Sequence, residues 1–210
     1  MAIGTLMGCA KNDEEETEPT YDFETVTIGN QTWMVKNLDV VTYRNGDPIS
    51  HLSEDKDWLS AKGGGWCAYN NDTSYIKNLG RIYNWHTVND PRGIAPEGWR
   101  VATNADWQTL IRNLGGVDSA GAKLKETGFQ HWAPPNLGAT NASGFSAYSG
   151  GYRSETDGSF KDLGGLGIWW LNSEGSQGYA YTASLVSITE KAYTGESLKN
   201  FGAYVRCIKN

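Results

Sequence analysis

The stretch 80–116, GRIYNWHTVNDPRGIAPEGWRVATNADWQTLIRNLGG, constrains the fold more than any other part of the chain. It joins an aromatic strand-like segment, a Pro/Gly loop and one capped helix. Thr103 stands where an N-cap accepts a backbone N–H, and Asp106 follows three residues on, as a capping box places an acid. Trp107, Leu110, Ile111 and Leu114 recur at helical spacing and give one apolar face. Gly115-Gly116 then stops the helix. A second short helix is expected over 119–126, presenting Ala120, Ala122 and Leu124 before Gly128.

Most of the rest reads as turns and short strands. The 26 Gly supply tight connections. Residues 26–35 predict a hairpin turning at Gly29-Asn30. Residues 42–65 read as irregular, and 66–69 as a short aromatic strand. A second hairpin is expected around Asp157-Gly158. Ile168-Trp169-Trp170-Leu171, residues 179–188 and the alternating 202–208 read as strands, the last closing a sheet. One ordered domain from residue 21 to 210 follows, α+β with little helix.

Charge and composition exclude several classes. Net charge is −6, with no Lys/Arg run, so a nucleic-acid footprint is absent. No stretch is long and apolar enough to span a bilayer as a helix. HExxH, GxSxG and P-loop patterns do not occur. His51, His86 and His131 form no metal-ligand spacing with cysteines, so no metal or cofactor is assigned. Glu155, Asp157 and Asp162 lie in turn-like sequence, where acids are solvated rather than paired for glycoside chemistry. The reading is therefore not an enzyme.

The first twenty residues differ in kind. Ile3-Gly4-Thr5-Leu6-Met7-Gly8-Cys9 reads as the close of a signal peptide at a lipobox, with Cys9 as the lipid acceptor. The acidic run 11–18 follows as a solvated tether. This order predicts an exported, lipid-anchored protein of the outer membrane or cell surface, touching the membrane only through Cys9. In an oxidising compartment Cys67 and Cys207 form a possible disulfide; two buried thiols are the alternative.

QTWMVKNL, the 80–116 stretch, AGAKLKETG, GFSAYSGGYR with DGSF, WWLNSE and YVRCIK occur in order. Together they resemble the Fibrobacter succinogenes major paralogous domain, from about residue 25 to 209. Arg100 stands where that family usually carries His. The resemblance implies a C-type-lectin-like fold, with two short helices, small antiparallel sheets and long irregular loops. It implies a bacterial surface protein that binds a glycan or a protein without catalysis. Carried onto this chain, the implied ligand-binding surface is Trp169, Trp170, Asn172, Glu174, Tyr179, Tyr181 and Tyr193. Neighbours in a strand face opposite sides, so one of Trp169 and Trp170 is free to face outward. Two other readings remain, an adhesin or tip component of a surface assembly and an enzyme of the formylglycine-generating type, which needs a reactive cysteine pair.

Overall fold

The computed structural model describes residues 23–210. Cys9 and the acidic run lie outside the described residues. Thirteen strands occur among the described residues. The first six are β1 (Thr25–Ile28), β2 (Gln31–Met34), β3 (Ser50–His51), β4 (Gly65–Cys67), β5 (Ile82–Tyr83) and β6 (Trp99–Val101). Then come β7 (Tyr152–Arg153), β8 (Phe160–Lys161), β9 (Leu166–Glu174), β10 (Tyr179–Val186), β11 (Ala192–Leu198), β12 (Tyr204–Val205) and β13 (Cys207–Lys209). The α-helices are α1 (Asp55–Ser60), α2 (Ile76–Leu79), α3 (Trp85–Val88), α4 (Asn104–Asn113) and α5 (Val117–Leu124). The class is α+β.

α4 follows the sequence closely. Thr103 caps it, and the Asp106 side chain returns to the Thr103 N–H, so both halves of the capping box are present. Trp107, Leu110, Ile111 and Leu114 are buried. Gly115 and Gly116 take φ of 97° and 96°, values that only glycine adopts without strain. α5 begins two residues earlier than expected, and Gly121 explains its position: a Cβ there would stand 2.4 Å from the Lys191 carbonyl oxygen. The helix backbone therefore lies directly on the turn between β10 and β11.

The main sheet runs β11-β10-β9-β12, and a second runs β1-β2-β13-β6. Three expectations need correction. Five short α-helices occur among the described residues where the resemblance implies two, and α1 lies inside the stretch 42–65 that the sequence reads as irregular. β12 runs parallel to β9 and β3 parallel to β4, so the sheets are mixed rather than purely antiparallel. Residues 202–208 are not one strand either. They divide at Arg206 into β12, which joins the main sheet, and β13, which joins the second. This crossing is buried throughout, because it links two sheets inside the core.

Both faces of the main sheet are covered along β9 and β12. On one side Trp169, Leu171, Ala183, Leu185 and Tyr204 join a cluster with Trp33, Trp107, Leu110 and Phe145. On the other, Ile168, Trp170, Ala180 and Val205 join Tyr83, Trp85 and Phe201. A strand buried on both faces reads as a continuous apolar run rather than an alternation, which is what residues 168–171 are.

Candidate functional site

The surface implied by the sequence does not assemble as one patch. Trp169 is 2% exposed and Trp170 is 0% exposed. The Trp169 indole N–H donates to Asn37 Oδ1 at 2.8 Å, and that of Trp170 to the Tyr83 carbonyl at 2.9 Å. Both rings are core, one on each side of the sheet. Asn172 and Glu174 are exposed, beyond a two-residue irregularity in β9. That bulge brings the Asn172 N–H to the Ala102 carbonyl at 2.7 Å and Ser173 Oγ to the Asn104 N–H at 3.0 Å. Lys199 holds Glu174 at 2.7 Å.

Register separates the tyrosines. Tyr179 pairs with Leu198 and Tyr181 with Glu196, so these four share one face at the open end of the sheet. Tyr193 pairs with Ser184 and lies on the other face. Glu196 is bound by the N–H and hydroxyl of Ser176, which hold its carboxyl below the usual range. What remains of the expected surface is therefore a small tyrosine-and-leucine edge.

The cysteines do not pair. Cys67 and Cys207 are free thiols, fully buried, in clusters on opposite sides of the main sheet. Burial pushes each thiol up to about 12, so both are protonated at neutral pH. Asp157 accepts from the Ser159 N–H and hydroxyl and from Lys161 at 3.1 Å, closing its own turn. Among the described residues no three His, Cys, Asp or Glu side chains gather as a metal site requires.

A larger concavity lies elsewhere. It is a groove of about 430 Å³ lined in part by Tyr75, Asn78, Phe129, Gln130, His131 and Leu163, with Trp132 and Ser149 among its buried lining residues. One wall is the loop that follows α5, and the other comes from α2 and the turn after β8. The loop is tied at its base by Asn136, whose amide donates to the carbonyls of Glu126 at 2.9 Å and Gly128 at 2.8 Å. The Ala133 N–H donates to the Gly164 carbonyl at 2.8 Å and joins the two walls. Phe129 projects with 63% of its surface exposed. The Trp132 indole N–H donates to the Ala147 carbonyl at 2.8 Å, which fixes the ring in the core.

His131 is held from two directions. Its Nδ1 lies 2.8 Å from Glu126 Oε2, and its ring stacks on Tyr148 with centroids 4.1 Å apart. The Ser149 hydroxyl donates to the main-chain oxygen of His131, not to its imidazole. No Ser–His nucleophile pair is formed there. Asp, Glu, Lys and Arg are all missing from the lining of the groove. Two smaller cavities differ in this respect. One, of about 240 Å³, includes Glu24, Lys36, Asp39 and Lys77; the other, of about 150 Å³, includes Arg44, Asp90 and Arg100.

The sequence reading passed over the groove residues. A signal was present nonetheless: residues 127–152, TGFQHWAPPNLGATNASGFSAYSGGY, contain no Asp, Glu, Lys or Arg. An uncharged loop with three aromatic or imidazole side chains in four positions, 129–132, is unusual for a solvated connection.

A family model, described as the Fibrobacter succinogenes major domain, matches residues 26–209. Comparison with curated proteins and with solved structures found no match.

Proposed function

We propose that this chain, which belongs to the Fibrobacter succinogenes major domain family, is a non-catalytic binding module that holds an extracellular ligand in the groove beside Phe129. The observation that carries this reading is a preformed, uncharged groove with a largely exposed phenyl ring at its edge. Such pockets are the default binding sites of folded domains, and exposed aromatic anchors concentrate binding energy. Two further facts favour binding over turnover. The Ser149 hydroxyl is engaged by the His131 carbonyl, and both described thiols are protonated and enclosed.

The same reading places the chain at the outer membrane or cell surface, anchored by a lipid on Cys9 and spaced from it by the acidic run. It also takes the architecture as C-type-lectin-like, with α4 and α5 beside a sheet whose longest strands lie in the C-terminal half. Radiolabelled fatty acid tests the anchor when the chain is expressed behind a complete export signal: label is expected on the parent and not on Cys9→Ser.

A second reading has one observation for it. β11 is an edge strand of seven residues, open to strand addition by a partner chain. Trp107 Nε1 already donates to the Tyr193 carbonyl, and Glu196 places a charge on the strand, so the edge is partly blunted.

The test is a screen of the purified domain against immobilised glycans and surface-protein extracts, run with parent, Phe129→Ala and Tyr193→Ala proteins. Capture is expected for the parent, with a loss of at least about tenfold in Phe129→Ala and little change in Tyr193→Ala. Capture that depends on Tyr193 instead, or turnover of the captured glycan, contradicts the reading.

A further inference from the structure

We infer that the groove selects a short, uncharged saccharide; this rests on the binding reading above and names its ligand class. Charge comes first. With no ionic side chain in the lining, a charged ligand would lose water there and gain no counter-ion, whereas an uncharged one loses far less.

The polar groups that do line the groove match hydroxyls. Asn78 and Gln130 are exposed, and each primary amide offers donors and an acceptor at one tip. His131 adds an imidazole whose Nδ1 is occupied by Glu126, leaving Nε2. A carboxylate only accepts, so the hydrogen between His131 and Glu126 resides on Nδ1. In the neutral ring Nε2 is then an acceptor, suited to a sugar O–H. The stack on Tyr148 and the bond to Glu126 fix the ring plane, so Glu126 is a positioning residue rather than a contact.

Apolar surface completes the match. The Phe129 ring and the exposed Leu163 side chain give flat and aliphatic patches for the C–H faces of a pyranose. A volume of about 430 Å³ falls within the range that encloses small organic ligands, about 300–1,000 Å³. A wholly apolar ligand would use none of the hydrogen-bonding capacity of the two amides and of Nε2, whereas a saccharide uses it.

The experiment is calorimetric titration of the purified domain with cellobiose, lactose and N,N′-diacetylchitobiose. Charged counterparts run in parallel: 3′-sialyllactose, a chondroitin disaccharide and the de-acetylated chitobiose. An acetylated, uncharged tripeptide serves as a non-sugar probe. At least one neutral disaccharide is expected to saturate the protein, with Phe129→Ala weakening it at least tenfold and the charged counterparts at least tenfold weaker. Thermal melts of Phe129→Ala must match the parent, as its exposure predicts. Phe129-dependent binding of a charged saccharide or of the tripeptide overturns the ligand class and leaves the binding module standing. Binding that ignores Phe129, or no binding by any probe, overturns both.

Discussion

Lys125 shows how much a single side chain holds together. It is fully buried, and its ammonium donates to the carbonyls of Leu137 at 2.9 Å, Val186 at 3.2 Å and Thr189 at 2.9 Å. Burial pulls its pKa down to about 8, and three carbonyl acceptors keep the proton in place at neutral pH. It thus ties the groove loop to the end of β10. Lys125→Met leaves three carbonyls without a donor and is expected to cost about 3 kcal/mol in urea unfolding, with weaker ligand capture as the loop loosens. Trp170→Ala, in a closed core site, is expected to cost about 3–5 kcal/mol, whereas Phe129→Ala at the surface should stay within about 0.5 kcal/mol. Sequence could not separate these roles. Lys125 sits in an ordinary helix-terminal KLKETG, and nothing local marks its ammonium as enclosed. The resemblance put Trp169 and Trp170 on the binding surface, and strand alternation left one of them free to face outward; alternation assumes one open face, and the main sheet has none at that point.

α4 is the element whose chemistry was most legible, and it also explains the departure at Arg100. Arg100 forks onto Asp106, with Nη2 donating to Oδ1 at 2.8 Å, while Thr103 donates its N–H to Oδ2 at 2.8 Å. The position usually filled by His thus does structural work here, pinning β6 to the first turn of the helix. Burial alone would raise the Asp106 carboxyl, but the bonds from Arg100 and Thr103 prevail and hold it at about 2. A folded pKa below the unfolded value means that this stabilisation is complete above about pH 4 and is lost as pH falls toward 2. Asp106→Asn is expected to cost about 1–2 kcal/mol at pH 7, the lower end reflecting solvent around the half-open Arg100. The gap between variant and parent should close in urea titrations near pH 2. Shorter elements left weaker traces. α3 is a single turn capped by Asn84, whose Oδ1 accepts from the Thr87 N–H at 3.1 Å. Four residues are too few to display a period, so Trp85 and His86 gave no helical pattern.

At the scale of the whole molecule, order of motifs identified the family, and composition identified an aromatic-rich domain behind an acidic N-terminal run. The groove needed four separated segments, at 75–79, 129–134, 149 and 163–164, and only the fold brings those together. The uncharged run at 127–152 was the one trace in the sequence, and it is meaningful only when neighbouring walls are known. The tyrosine edge of β10 and β11 stays a rival surface, since Tyr179 and Leu198 are each 38% exposed. The two surfaces involve different amides, so backbone NMR separates them directly. In a titration of the ¹⁵N-labelled domain with N,N′-diacetylchitobiose and cellobiose, the account predicts shifts at Tyr75, Asn78, residues 129–133 and Leu163–Gly164. Shifts centred on Tyr179, Tyr181 and Leu198, with the groove amides unmoved, would contradict it.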